Sequence, residues 1–436
     1  METAEVCIIG DGKAVFVIAD LISKSQLADG TPLKARIFAD LGMQKSLNNA
    51  LDYLMPAGIS DSLNPYLGPS DVKHTCDDVV VKIKHHTRRK AMDARTAREK
   101  FMASQLLTGL EAAATGNSFI DLIELLQRKN VSVESFGANH EFASAFVFAC
   151  PATAYGAHLD RLAGAIGDGS TVILVGAPIL AGLEFNHQLN LRRPGARVNV
   201  IEMDELYSTV VERPDGSFFV TPARRVNIAG PTRNETRRAM WLASLLSRDL
   251  MPASGLIERG LLDAQSIVRP LFLLSAMLGA KIDALGDLSR LLNRANLAML
   301  VDLEQELNHL ALAAHCQPVD FARSLREEAD LRGLAQGPVC DVTLAEALVT
   351  IAGKWFSGTS WSYGQAQYFL SSYVAEHLVP LAQLARVFDL AVPVLDSVIQ
   401  LASSVVGTDL VAVGRTFDAI GLVNVKRIDL LEMTEA

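Results

Sequence analysis

Two short stretches of the chain carry residues whose types and spacing could do chemistry. The first is "GDGKA", residues 10 to 14. Gly10 and Gly12 close an apolar run and open a helical pattern. That puts the backbone N–H groups of Asp11, Gly12, Lys13 and Ala14 at a helix N-terminus, where they and the helix dipole can hold a pyrophosphate. The third glycine of the usual dinucleotide fingerprint is replaced by Val15, beside the small Ala14, so helix and strand must pack slightly further apart. Asp40 ends the next apolar run, where an acid accepts hydrogen bonds from an adenosine ribose. A carboxylate there repels a 2'-phosphate, which favours NAD over NADP, with Lys34 and Lys45 as opposing charges nearby.

The second stretch is "SIVRPLF", residues 266 to 272. It reads as a helix entering an apolar core, yet it sets the permanent charge of Arg269 just before Pro270. Two uses are open. The guanidinium could face a cleft and bind a carboxylate in bidentate fashion or polarise a carbonyl. It could instead snorkel, or pair with Glu258 or Asp263, and close a helix end. "KWFSGTSWSYG", residues 354 to 364, could fold over a cleft and stack Trp355, Trp361 or Tyr363 on a substrate, or pack into a core. His309 and His315 follow Glu304 and Glu306, but the spacing does not gather them on one helical face, so capping or solvation is expected and no metal. The five cysteines, among them Cys150, lack the spacing of a zinc site or a disulfide framework.

The elements that must position these residues follow from periodicity. "EVCIIG", "KARIFAD", "ASAFVFAC" and "STVILVG" are continuous apolar runs of the kind found in a parallel sheet covered on both faces. Residues 197 to 230 alternate short β runs around a "PDG" turn, as a hairpin does. From Asn234 the pattern is almost wholly helical. The expected architecture is therefore an α/β, Rossmann-like parallel-sheet domain over residues 1–232, with a helical insertion at about 45–140, followed by an all-helical domain over 233–436.

With 436 residues, half of them hydrophobic, and a net charge of −9, the chain can bury a large core and lacks the basic surplus of a nucleic-acid binder or an anionic-membrane adaptor. The basic "KIKHHTRRK" cluster reads as a solvated face. The first residues lack a signal-peptide pattern and every long apolar run is broken by a charge, so a cytoplasmic protein without a membrane span is expected. The expected partner is a small-molecule substrate, and a homodimer is plausible.

The order of segments resembles the octopine (opine) dehydrogenase family, including its staphylopine-type members. The likeness runs through "FVFACPATAYGAHLDRLAGAIGDGSTVILVGAPILAGLEF", "EMDELYSTVV", "LLDAQSIVRPLFLLSAML", "VDLEQELNHLALAAHCQPVDF" and "YFLSSYVAEHLVPLAQLARVFDLAVPVLDSVIQLAS". It implies a dinucleotide domain followed by a helical domain like that of 6-phosphogluconate dehydrogenases. It also implies an NAD(P)-dependent oxidoreductase that reduces an imine formed from an amine and a 2-oxo acid. By the same resemblance Cys150, Pro151 and Ala152 line the nicotinamide, while Pro178 and Ser372 reach the substrate. The family's histidine before proline is here Arg269, and its later arginine and aspartate are here Tyr368 and Tyr373. Arg269 then becomes the substrate clamp, and Tyr373 or Tyr368, with its phenol pKa lowered by the guanidinium, becomes the proton donor. A hydroxy acid dehydrogenase on the same plan, or a nucleotide-binding pseudoenzyme that has lost proton transfer, fits the same substitutions.

Overall fold

The computed structural model describes residues 5–10, 13–27, 30–39, 118–134, 143–212, 217–223, 225–279, 294–330 and 362–434. The strands are β1 (Glu5–Gly10), β2 (Lys34–Ala39), β3 (Ser118–Ile120), β4 (Val131–Glu134), β5 (Ala143–Ala149), β6 (Ile166–Val175), β7 (Asn199–Met203), β8 (Tyr207–Glu212), β9 (Phe218–Pro222), β10 (Val226–Ala229) and β11 (Leu250–Pro252). Eight form one sheet in the order β11-β10-β7-β6-β5-β1-β2-β4, and β3-β9-β8 form a second. The neighbours from β4 to β7 all pair in parallel; β10 runs antiparallel to β7.

Helices cover both faces of the large sheet. They are α1 (Lys13–Ser23), α2 (Leu122–Gln127), α3 (Tyr155–Leu162), α4 (Ala181–Arg192) and α5 (Arg233–Leu246). This coverage explains the unbroken apolar strands. In β1, Val6 and Ile8 pack in the core that contains α1 and α5, while Cys7 and Ile9 pack in the core that contains α3 and α4.

A third core belongs to the helical part: α6 (Leu256–Leu262), α7 (Ala264–Gly279), α8 (Arg294–Ala313), α9 (Phe321–Asp330), α10 (Tyr363–Tyr373), α11 (Val379–Val387), α12 (Pro393–Val406), α13 (Leu410–Val413) and α14 (Arg427–Thr434). Among the described residues no single helix is long and apolar enough to cross a membrane. The bent pair Leu256–Leu262 and Ala264–Leu278 passes that test jointly, and it contributes heavily to this core.

The parallel sheet and helical second half agree with the sequence reading, but two boundaries move. Part of the expected insertion is sheet: β4 pairs with β2 along the main sheet, and β3 joins the β8–β9 hairpin. "SFIDLIELLQRK" reads as helical, yet "SFI" is recruited as a strand by pairing with Phe218 and Phe219 of β9. At the other boundary, α5 buries Ala239, Leu242, Ala243 and Leu246 against the sheet and β11 pairs with β10. The α/β part therefore extends past residue 232 to β11.

The two parts are joined by buried charge. Arg259 of α6 is fully buried; its Nη1 donates to the Ala177 carbonyl (2.6 Å) and to Asp204 (3.2 Å), and its Nη2 donates to the Pro178 carbonyl (2.9 Å) and to Glu202. Arg415, also buried, donates to Glu184 (2.6 Å) and to the carbonyls of Ile179 (3.1 Å) and Glu376 (2.9 Å). Gly260, next to Arg259, lies so close to Ile179 that a Cβ would collide with it. Replacing Arg259 with Met should destabilise the protein by about 3–5 kcal/mol, because it strands the carboxylates of Glu202 and Asp204 in the interior. Guanidinium denaturation of the two proteins measures this, and a loss below about 1 kcal/mol would show that the acids are accommodated without the guanidinium.

Candidate active site

The carboxyl ends of β1, β5, β6 and β7 lie along one rim of the sheet. Strand order reverses between β1 and β5, since β2 lies on one side of β1 and β5 on the other. Such a switch point opens a crevice at the strand ends. Gly10 sits at it, and a Cβ there would collide with the Ala149 carbonyl. Lys13, three residues after Gly10, begins α1. Close approach of a bare backbone to the neighbouring strand, followed by a helix N-terminus, suits a pyrophosphate. Asp11, Gly12 and Asp40 lie outside the described residues. Lys34 is at the opposite end of β2 from Ala39, roughly 17 Å away at strand spacing, and it pairs with Glu5 (2.9 Å). It is therefore no partner for a ribose phosphate.

Further along the rim the loop after β7 meets α7 through Glu205, and the loop after β5 meets the segment that follows α10 through Ala152. Arg269 projects from α7 and donates from Nη1 to the Tyr373 hydroxyl oxygen (2.9 Å) and to Glu205 (3.4 Å); its Nη2 donates to Gln265. Of the two uses open for Arg269, its ion-pair partner is neither Glu258 nor Asp263. Glu258 accepts backbone N–H groups of Ser254 and Gln317, and Asp263 accepts that of Ser266. Pro270 lies inside α7 and has no N–H to offer the Ser266 carbonyl one turn back.

Directly after Tyr373, residues Val374–Leu378 form a π-helical turn, a rare irregularity often found at functional sites. It presents two ionisable groups. Glu376 accepts a hydrogen bond from the Ala152 N–H (3.2 Å). His377 places Nδ1 3.9 Å from Asp263 Oδ2 and its ring 5.9 Å from that of Tyr373.

Burial governs the protonation of this cluster. It pushes the His377 pKa down to about 4, outweighing the Asp263 carboxylate, while Arg415, Arg259 and Arg269 push the same way. Burial, joined by Asp263, pushes Asp204 up to about 7 against the pull of Arg259. Glu376 is raised by burial and partly restored by Arg415. The Tyr373 phenol is also raised by burial, and the Arg269 guanidinium offsets only part of this. The expectation of a lowered phenol is thus reversed. At neutral pH His377 is neutral and Tyr373 keeps its proton.

The structure brings Arg269 and Tyr373 together but not Tyr368. Five positions earlier on α10, about 140° round the helix, Tyr368 is 64% exposed and packs edge-on against Phe369. Ser372 bonds to Glu376 (3.4 Å). Pro178 is buried and its carbonyl is taken by Arg259, so it shapes the loop and is not an open substrate contact. Cys150 and Ala152 are buried beneath the loop after β5, leaving Pro151 partly accessible. Trp361 lies outside the described residues. Glu304 and Glu306, considered for a metal, instead cap helices α9 and α12 through Phe321, Val394 and Leu395 N–H groups. Sequence reasoning missed Glu205 and His377, and considered Asp263 only as an ion-pair partner of Arg269. The available signal was spacing: His377 follows Tyr373 by four residues, which stacks the two side chains on one helical face.

No protein-family model and no curated protein matches the chain. Solved structures do. Octopine dehydrogenase in complex with NADH and agmatine matches with a TM-score of 0.58 at 13% identity, over 96% of each chain. The same enzyme with NADH and L-arginine gives 0.58 at 13% identity, over 99% of this chain and 98% of that one. NADP+-bound yersinopine dehydrogenase gives 0.54 at 14% identity, over 99% and 97%. The chain shares the fold of these dehydrogenases.

The neutral, largely buried His377 makes stability depend on pH. Between its ordinary value of 6.5 and about 4 the unfolded chain binds a proton that the folded chain refuses, so acidification destabilises the fold. Asp204 acts oppositely, but it is common to wild type and His377→Asn and drops out of their difference. On lowering the pH from 7 to 4.5, wild type should therefore lose about 2 kcal/mol relative to His377→Asn. Paired denaturation curves at the two pH values read this directly; a difference that stays constant would mean that His377 titrates normally.

Proposed function

We propose that the protein is an NAD(P)-dependent oxidoreductase that reduces an imine, formed from an amine and a 2-oxo acid, or a closely related carbonyl. The observation that carries this reading is the Arg269–Tyr373 pair, set on the same rim of the sheet as the Gly10 turn, with His377 beside it. The fold shared with NADH- and NADP+-bound dehydrogenases supports it. A bound nicotinamide supplies hydride. Gly10 and the start of α1 hold the pyrophosphate, and NAD is the preferred form, with Asp40 on the ribose. Arg269 binds the substrate carboxylate through its fork. Tyr373, which keeps its proton at neutral pH, donates to the imine nitrogen or carbonyl oxygen as hydride reaches the adjacent carbon. The helical part closes the cleft, and the protein works as a cytoplasmic homodimer.

The test is a fluorescence titration with NADH and NADPH. It is followed by absorbance at the nicotinamide band with pyruvate, 2-oxoglutarate or glyoxylate, each with and without amino acids. Saturable NADH binding and oxidation that needs both an oxo acid and an amine are expected. Arg269→Ala should raise the KM for the oxo acid by about tenfold to a hundredfold, without rescue by Lys. Tyr373→Phe should lower kcat by about a hundredfold or more at unchanged NADH affinity. Absence of nucleotide binding would sink the dinucleotide site. Oxidation by an oxo acid alone would identify a hydroxy acid dehydrogenase, and binding with no oxidation under any combination would overturn the reductase reading.

A further inference from the structure

Glu376 is a buried carboxylate that the proposed reaction does not use. It is 8% exposed and lies inside the π turn, between Tyr373 and His377 in the chain. Its main chain and its side chain are held separately. The Glu376 carbonyl accepts from Arg415 Nη1 (2.9 Å), and the Ala375 carbonyl before it accepts the Arg415 backbone N–H (3.0 Å). These contacts tie the π turn to the helical part whatever side chain stands at position 376. The carboxylate does something else: Oε2 accepts the Ala152 backbone N–H (3.2 Å), and Oε1 accepts the Ser372 hydroxyl (3.4 Å).

The Ala152 N–H matters because of where it sits. Ala152 opens the short 3₁₀ turn Ala152–Ala154 that leads into α3, and Pro151 before it offers no side-chain cap. The first N–H groups of such a turn have no partner within it, so an acceptor must come from outside. A carboxylate is favoured there by the partial positive charge of the helix start. Glu376, 224 positions further along the chain, is that acceptor. Three residues back from Ala152, Ala149 is the register partner of Gly10, and a Cβ on Gly10 would meet its carbonyl. In the proposed cofactor placement Asp40, after β2, takes the adenosine ribose and the Gly10 turn takes the pyrophosphate. β5 lies on the other side of β1 from β2, so the nicotinamide end continues towards the loop after β5. That loop is the one Glu376 holds.

We propose that Glu376 is a positioning residue: its carboxylate fixes the loop after β5, and with it the nicotinamide end of the cofactor, at a set distance from Tyr373. It acts through Ala152 on one side and through the π turn that follows Tyr373 on the other. Hydride and proton must arrive at neighbouring atoms of one substrate bond, so their two sources have to be held in register across the junction of the α/β and helical parts. A misplacement of about 1 Å costs on the order of a hundredfold in rate. Arg259 and Arg415 join the two parts through the loop after β6, and Glu376 joins them through the loop after β5. What the loop holds rests on the oxidoreductase reading; what Glu376 holds rests on its hydrogen bonds alone.

Three variants of the full chain separate the bond from the charge. Glu376→Gln keeps an acceptor for Ala152 and can donate to the Ser372 hydroxyl oxygen. Glu376→Asp keeps the charge but is one methylene too short to reach Ala152, and Glu376→Ala loses both. The Ala and Asp variants should bind NADH about tenfold more weakly and lower kcat by about tenfold to a hundredfold. The KM for the oxo acid should change by less than about twofold, because Arg269 stands on α7 and keeps its own partners. Glu376→Gln should stay within about threefold of wild type in NADH affinity and kcat. Circular dichroism checks folding, and Glu376→Asp carries the test if the Ala variant does not fold. A carboxylate with a merely structural role would lower stability without this split between kcat and KM, and one that acts by charge alone would be rescued by Asp and not by Gln; either result overturns the proposal. NADH affinity needs no turnover, so the two failures are distinguishable. Affinity lost in Ala and Asp and restored in Gln, with no oxidation under any substrate combination, rejects the reductase reading alone. Equal affinity and kcat in wild type and all three variants reject the positioning role alone, and a wild type that binds no NADH rejects both.

Discussion

Two buried guanidinium groups determine the geometry on which the rest of this molecule depends. The loop after β6 turns sharply at Gly176 and again at Leu180, which adopts a left-handed conformation that a branched side chain disfavours. Between these turns the carbonyls of Ala177, Pro178 and Ile179 point away from the sheet, and Arg259 and Arg415 take all three. Desolvating two cations is costly, and attraction to Glu202, Asp204 and Glu184 offsets that cost together with hydrogen bonds to the loop carbonyls, although Arg259 Nε and Arg415 Nη2 stay without a partner among the described residues. What the arrangement confers is registration. Arg259 sits on the helix leading into α7, so fixing it fixes the start of the element that bears Arg269. Arg415 also holds the Glu376 carbonyl, and thereby the π turn that bears His377.

The same crowding of charge sets the protonation states. Glu202, Asp204, Asp263 and Glu205 lie among Arg259, Arg269 and His377. In water each group would titrate near its ordinary value. Here desolvation disfavours the charged forms of Glu202, Asp204 and His377, and the guanidinium groups, which cannot release a proton, fix the positive charge. The groups that can respond then do so: His377 stays neutral and Asp204 moves towards neutrality. A permanent cation at position 269 is compatible with this balance because Glu205 and the Tyr373 hydroxyl oxygen face it.

Much of the scaffold is legible in the sequence, and the reasons are local. β1, β2, β5 and β6 are continuous apolar runs because both faces are covered, and the Gly10 turn follows directly from one of them. β4 was not legible: "VSVE" is short and half polar, as an edge strand can be, and it makes sense only once β2 is beside it. Nor was Arg259, since "LIERGLL" reads as a helix with one acid–base pair facing water. The residues that bury it, Glu202 and Asp204, come from a strand more than fifty positions earlier. Arg269 and Tyr373 could be singled out by type and alignment, but the direction of the Tyr373 shift could not. Sequence shows a phenol and a guanidinium; it does not show the burial that outweighs their attraction.

The proposed reduction also needs a route by which Tyr373 recovers its proton, and the charge pattern constrains that route. His377 is neutral, so one ring nitrogen carries hydrogen and the other accepts. Asp263 lies on the Nδ1 side, and a carboxylate favours the tautomer with hydrogen at Nδ1. The lone pair is then on Nε2, as an acceptor. A histidine held in this way is a poor acid at neutral pH, which leaves donation to Tyr373 and gives His377 the role of orienting and polarising. An imidazole at this position could not exchange roles with Arg269: neutral, it could not clamp a carboxylate, and charged, it would add a further cation to a site that already holds three guanidinium groups. The proposed separation of substrate clamp, proton donor and neutral imidazole onto three side chains accords with that electrostatic restriction.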